Sequence, residues 1–280
     1  MKKYILFLAI LLVILGHIRA QEKRIIDSLV FTKMYSERLE EERKIVVHLP
    51  LNYAKEPNKR YPVMFVLDAG KLDFDISDRL FTLSSSDITP ESIVVGILNN
   101  KGKRETDLTP PFMQTETGDT TSPFGKADNF LKFIKDELIP FVDNNYRTTN
   151  YRTISGHSRA GLFVLYTLIE QPSLFNARFC YSTPAWRFDN IIIRQLESSV
   201  QKQKYLEESY LFFSAGVNEN PNIIASFHEL NEMLKKIDPK HLEYNSYLTP
   251  LADHQSNPVF STSKALVYWS EYLKKQKIHF

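Results

Sequence analysis

Ser158 stands in Ile154-Ser155-Gly156-His157-Ser158-Arg159-Ala160-Gly161, with small residues two places before it and two and three places after it. A serine hydroxyl is a poor nucleophile at neutral pH and reacts when a neighbouring base takes its proton. A sharp turn from strand to helix can hold such a hydroxyl out above a sheet. Helix and strand nearly touch there, so bulky flanking side chains would collide. The stretch is close to the G-x-S-x-G pattern of that turn, with Ala160 where the strict pattern has glycine. In folds that use it, the chain order is serine, then carboxylate, then histidine, and reactive groups gather at the carboxyl ends of the strands.

These rules select among seven histidines. His17 belongs to a leader segment and His279 is terminal. His48 falls inside a strand and, with His157, precedes or adjoins the serine. His228 is mid-helix, and His241 lies before a strand, on the wrong edge of a sheet. Only His254, in Thr249-Pro250-Leu251-Ala252-Asp253-His254, follows a strand's carboxyl end. For the acid, Glu219 lies just past the preceding strand, where it can fix the imidazole tautomer and stabilise the imidazolium. Asp253 is badly aimed, being next to the histidine, and Asp189 is the fallback.

The oxyanion that develops when a serine attacks a carbonyl needs two backbone N–H donors. The residue after the serine, Arg159, supplies one. The loop after the third strand supplies the other, with Gly70 the first choice and Lys71 next, itself a candidate substrate-binding residue. The Arg159 side chain either puts a cation at the mouth of the site, favouring acidic or polyhydroxylated substrates, or faces solvent.

The elements that must position these groups read as alternating strands and helices. Residues 29–37 and 43–49 form an antiparallel pair. Pro62-Val63-Met64-Phe65-Val66-Leu67 is apolar without alternation, as a strand buried on both faces is, and Ser92-Ile93-Val94-Val95-Gly96-Ile97-Leu98 forms a second buried strand. Residues 126–144 form an amphipathic helix bent near Pro140. Further strands end near Ser155, Ser182, Ala215 and Leu248, with helices over 75–83, 162–170, 189–205, 222–237 and 258–275. Residues 99–125 show little regular pattern; loops of that length are commonly lids or binding loops, the alternative being a surface excursion. The pattern predicts one α/β domain over residues 21–280, with a mostly parallel sheet of about eight strands covered on both faces.

The 280 residues carry a formal charge of +2. Lys2, Lys3 and Arg19 lie in the first twenty residues, which hold no acid, so the remainder is close to neutral. That gives no global attraction to nucleic acid or anionic membrane. Lys2 and Lys3 precede an apolar run from Ile5 to Leu15, with Ala20 at a cleavage position, so residues 1–20 read as a signal peptide. The run falls short of the roughly 20 residues of a membrane span, and the expected location is secreted or periplasmic, without stable membrane insertion. Cys180, the single cysteine, excludes an intrachain disulfide and reads as a buried, inert thiol. No zinc spacing or phosphate-cradling loop is present, and no metal or organic cofactor is implied.

Several stretches taken together resemble the putative esterase family: Tyr61–Asp68, Val94-Val95-Gly96-Ile97, Asp107-Leu108-Thr109-Pro110, Ser155-Gly156-His157-Ser158 and Ser182-Thr183-Pro184-Ala185-Trp186. That family includes enterochelin-esterase-like hydrolases, feruloyl and acetylxylan esterases and mycolyl-transferring relatives. The resemblance covers nearly all of residues 29–275. It implies an α/β-hydrolase fold with Ser158 as nucleophile, His254 as base and Glu219 where the family places its acid. It also implies that Trp186 lines the acyl or alcohol pocket. Two departures touch the oxyanion region: Ala160 replaces a glycine, and Asp68-Ala69-Gly70 replaces Asp-Gly.

The expectation is a secreted serine esterase acting on a small-molecule or glycan ester, such as a siderophore ester or an acylated glycan. An acyltransferase would use the same residues. A non-catalytic binding protein on a hydrolase fold would leave Ser158 unreactive.

Overall fold

The structure, a computed structural model, describes residues 28–202, 209–237 and 242–280. The expected signal peptide at 1–20 and His241 lie outside the described residues. Among those residues no helix is long and apolar enough to cross a membrane.

The elements, in chain order, are β1 (Leu29–Ser36), β2 (Glu41–His48), β3 (Tyr61–Leu67), α1 (Leu72–Ser84), β4 (Ile93–Ile97) and the short α2 (Arg104–Leu108). Next come α3 (Ala127–Phe133), a π-helical turn (Ile134–Leu138), α4 (Ile139–Asn145), β5 (Thr148–His157), α5 (Arg159–Glu170), β6 (Ala177–Tyr181) and α6 (Arg187–Lys202). The chain closes with β7 (Tyr210–Gly216), α7 (Pro221–Leu234), β8 (Glu243–Thr249) and α8 (Asn257–Lys275). They build one eight-stranded sheet in the order β1-β2-β4-β3-β5-β6-β7-β8. β1 pairs antiparallel with β2, and β2 antiparallel with β4, while β3 to β8 run parallel. The alternation of strands and helices predicted this mostly parallel sheet, and the family resemblance implied its α/β-hydrolase architecture.

β3, β4, β6 and β7 are buried at every residue, because side chains alternate between two covered faces. Val63, Phe65 and Leu67 of β3 pack with residues of α3, α4, α5, α6 and α7. Met64 and Val66 point the other way, into a cluster with Ile76 and Leu80 of α1 and Ala265, Leu266 and Trp269 of α8.

Three local features differ from the expectation. The break near Pro140 is a π-helical turn ending at Leu138. Proline lacks an N–H and crowds the carbonyl four residues back, and widening the preceding turn relieves that clash. The region 99–125 contains α2, one turn whose Asp107 is buried against Arg43 of β2. The helix expected over 189–205 begins at Arg187 with a left-handed run at Phe188, Asp189 and Asn190, at φ near 50°.

Arg178 of β6 is fully buried and, among the described residues, has no carboxylate partner. Its guanidinium donates to the carbonyls of Phe175 (2.7 Å), Pro172 (2.9 Å) and Gln171 (3.1 Å) and to Thr167 Oγ1 (3.0 Å). These acceptors lie at or just past the C-terminal end of α5, where a cation suits the helix dipole. Burial pulls its pKa down to about 9. The helix that begins at the serine is thus anchored at its far end.

Candidate active site

Between the end of β5 and the start of α5, Ser158 adopts φ 59°, ψ −123°, a region costly for any residue with a side chain. The surroundings hold it there. Its N–H donates to the Tyr181 carbonyl (2.8 Å), and its own carbonyl accepts from the Gly161 N–H (2.8 Å). A Cβ at Gly156 would come within 2.6 Å of the Ala160 carbonyl, and one at Gly161 would collide with the Thr183 hydroxyl. Ala160 is accommodated because Gly156 has no side chain to oppose it.

His254, in the loop after β8, places Nε2 2.9 Å from Ser158 Oγ and Nδ1 2.9 Å from Glu219 Oε2. Glu219, after β7, has its side chain wholly buried, whereas the His254 side chain is 33% exposed. The other carboxylate oxygen accepts from the Ser182 hydroxyl and from the Gly216 N–H (3.3 Å). Burial acts to raise the pKa of Glu219. Hydrogen bonds from His254, Ser182 and the Gly216 N–H outweigh it and hold the carboxyl below its usual range. An ionised Glu219 accepts from Nδ1–H, which leaves Nε2 as an acceptor facing the serine hydroxyl. A hydroxyl, an imidazole and a carboxylate so linked can generate and stabilise an alkoxide-like nucleophile.

The alternative acids are elsewhere. Asp189 pairs with Arg194 on the surface, and Asp253 turns back to cap the residues before α8, bonding Ser256 and the Gln255 N–H.

Two expectations about the oxyanion region are corrected. The Gly70 N–H is not free: it donates to Asp73 Oδ1 at 2.7 Å. The Ala69 N–H is used too, by the Ile97 carbonyl at 3.1 Å. Lys71, at the start of α1, is the next amide and has no acceptor among the described residues. The Arg159 N–H, first in α5, is likewise unpaired. The Arg159 side chain neither lines the mouth as a free cation nor faces solvent. It donates to Thr109 Oγ1 (2.8 Å) and the Thr115 carbonyl (2.6 Å). Arg187 reaches the same Thr115 carbonyl (2.9 Å) and Thr117 Oγ1 (2.6 Å). The loop following α2 is therefore strapped to the body of the protein.

A cleft of about 460 Å³ is lined by residues 68–72, Asp75, Pro258, Val259 and the chain neighbours of Ser158 and His254, namely His157 and Gln255. Lys71 is exposed there, as a substrate-binding candidate would be. Trp186 is not among its walls: it packs partly buried against the main core. Among the described residues no group of three or more His, Cys, Asp or Glu is placed to hold a metal ion. Cys180 is buried, and burial pushes its thiol pKa up.

Three residues of the network escaped the sequence reading. Ser182 and Asn257 support Glu219 from behind, Asn257 donating to Ser182 Oγ (2.9 Å) and Ser214 Oγ (3.1 Å). His157 Nε2–H donates to the His254 carbonyl (2.7 Å), with the two rings 4.7 Å apart. Only its place in the turn marked it, and that place served to set it aside as a base.

Burial, and then the neighbouring His254, lower the His157 pKa from 6.5 to about 4. Between those values the unfolded chain binds a proton that the folded chain refuses. Stability therefore falls as pH falls, by up to about 3 kcal/mol from this group alone. Asp73 and Glu219, held ionised, add to the same acid slope. The difference between His157→Gln and wild type isolates the histidine: urea midpoints at pH 7 and pH 4.5 should differ less in the variant.

A match to the family described as "Putative esterase" spans residues 36–261. Ferri-bacillibactin esterase BesA of Bacillus subtilis (strain 168) is 29% identical over 134 residues, which is 42% of this chain and 46% of that protein. The crystal structure of the BES protein from Bacillus cereus superposes with a TM-score of 0.75 at 24% identity, covering 86% of this chain and 95% of that one. An IroE-like serine hydrolase from Shewanella oneidensis gives 0.75 at 25% identity over 90% and 82% of the two chains. With more than three quarters of its length inside the family match, the chain belongs to the Putative esterase family.

Proposed function

We propose that this protein is a serine ester hydrolase working through an acyl-enzyme. The observation that carries the reading is the unbroken line Ser158 Oγ–His254 Nε2 and His254 Nδ1–Glu219 Oε2, each gap 2.9 Å. His254 takes the hydroxyl proton as Ser158 Oγ attacks the ester carbonyl, and Glu219 stabilises the resulting imidazolium. The tetrahedral oxyanion accepts from the N–H groups of Arg159 and Lys71, each at the N-terminus of a helix, where backbone charge favours an anion. His254 then returns its proton to the leaving alcohol. Water, deprotonated by the same imidazole, attacks the acyl-enzyme, and collapse of the second tetrahedral species releases the acid and Ser158.

Family membership supports ester hydrolysis as the reaction class. The names borne by the relatives support a small-molecule ester of the siderophore type as substrate, with Lys71 and His157 lining the opening it would enter. Export is supported by the basic and apolar N-terminal residues alone.

A fluorophosphonate probe tests the reading. It should label Ser158 stoichiometrically, located by peptide mapping, and labelling should abolish hydrolysis of p-nitrophenyl butyrate. An unlabelled Ser158 in protein that still turns the ester over would overturn it.

A further inference from the structure

A second histidine–carboxylate pair lies behind the oxyanion loop. His48, the last residue of β2, directs Nε2–H to Asp73 Oδ2 at 2.9 Å, and both residues are buried. The other oxygen, Asp73 Oδ1, accepts the Gly70 N–H at 2.7 Å. The carboxylate rests over β4 at Gly96. A Cβ there would come within 2.8 Å of Asp73 Oδ2, 2.6 Å of Val46 and 2.9 Å of Ala69. β2, β4, the 68–71 loop and α1 therefore converge on one carboxylate.

That loop carries considerable conformational cost. Asp68 has φ 55° and Gly70 has φ 120°, so the chain reverses into α1 through two left-handed residues. Each reversal is pinned. Arg104 holds the Asp68 carboxylate with two hydrogen bonds, at 2.9 and 2.6 Å, and Asn99 holds it with a third. The Ile97 carbonyl holds the Ala69 N–H, and Asp73 holds the Gly70 N–H. Lys71 is the first amide left over, and the peptide one link before it, Ala69–Gly70, is the one whose orientation Asp73 holds through the Gly70 N–H.

We infer that His48 and Asp73 are positioning residues for the second oxyanion donor: His48 steers the Asp73 carboxylate onto the Gly70 N–H, and that bond sets the Lys71 N–H toward the cleft. The inference rests on the serine-esterase reading and on Lys71 as the donor. Burial tends to raise the Asp73 pKa, but the His48 and Gly70 hydrogen bonds outweigh it and keep the group ionised. It is therefore an acceptor throughout the neutral range. Asparagine can keep the same contact, its Oδ1 accepting from Gly70 and its amide turned to a His48 Nε2 that has lost its proton. Alanine cannot.

The test compares Asp73→Ala, Asp73→Asn, His48→Gln and His48→Phe with wild type and Ser158→Ala on p-nitrophenyl butyrate. Inhibition by an aryl trifluoromethyl ketone, which forms an oxyanion adduct, is measured in parallel. Losing one oxyanion donor lowers kcat by roughly 10²–10³-fold. Asp73→Ala should approach the lower end, with KM nearly unchanged and ketone affinity falling in step with kcat/KM. Asp73→Asn should recover most of the activity, and His48→Gln more than His48→Phe. A merely structural pair would change the melting temperature and the active fraction, leaving the kcat of the folded enzyme and the ketone affinity alone.

Should Asp73→Ala fail to fold, the His48 variants and Asp73→Asn decide. His48→Phe at wild-type kcat and ketone affinity overturns the inference, as does Asp73→Ala within twofold of wild type. In either case an inactive Ser158→Ala leaves the serine reading standing. A Ser158→Ala protein that stays active removes the reading beneath both.

Discussion

Ser158→Ala should lower kcat for p-nitrophenyl butyrate by roughly six orders of magnitude, the scale seen when a serine nucleophile that works with a histidine is removed. His254→Ala should fall to about the same floor. Ser158→Ala/His254→Ala should fall no further, because the hydroxyl and the imidazole 2.9 Å apart act as one unit. The oxyanion donors and the substrate contacts remain in all three variants, so the floor should still sit above the rate in water. Steady-state kinetics over an enzyme titration checks this. A single variant retaining a tenth of wild-type activity rules the mechanism out.

Glu219→Gln should be nearly as damaging, by roughly 10⁴-fold in kcat, despite its close match in volume. The reason lies in what surrounds the carboxylate. The Ser182 hydroxyl and the Gly216 N–H both donate to Oε1, so a glutamine would turn its carbonyl oxygen to them and present its NH₂ to His254 Nδ1. That forces the imidazole proton onto Nε2, where it can no longer accept the proton of Ser158. Ser182→Ala in the Glu219→Gln background removes one reason for that orientation and should recover part of the loss. Rate measurements on the pair of variants check it, and a Glu219→Gln enzyme within tenfold of wild type would mean the acid lies elsewhere.

The strands of the sheet were legible because β3, β4, β6 and β7 are covered on both faces and so carry uninterrupted apolar runs. Ser158, Glu219 and His254 were legible because each follows the carboxyl end of a strand, and strand ends can be read from the same runs. What escaped depends on partners distant in sequence. α2 has only five residues, and its buried Asp107 is matched by Arg43, 64 positions earlier. The Arg159 side chain was left between a cation at the mouth and a solvent-facing group because Thr109 and Thr115, its acceptors, lie some 50 residues back in an irregular loop. Gly70 was chosen as oxyanion donor for its place in the loop after the third strand. Its amide is claimed by an aspartate three residues on, aimed there by a histidine from β2. His157 was set aside for being next to the serine, and that adjacency is what lets its ring support the backbone of His254.

The loop riveted by Arg159 and Arg187 has one further consequence. Thr109 and Thr115 are buried beneath it, and both guanidinium groups grip the same carbonyl. A flap so fastened has little freedom to swing over an arriving molecule. Compounds should be sorted by whether their outline suits a standing doorway, and product should appear from the first instant of mixing, without a lag and without stimulation by detergent or lipid droplets.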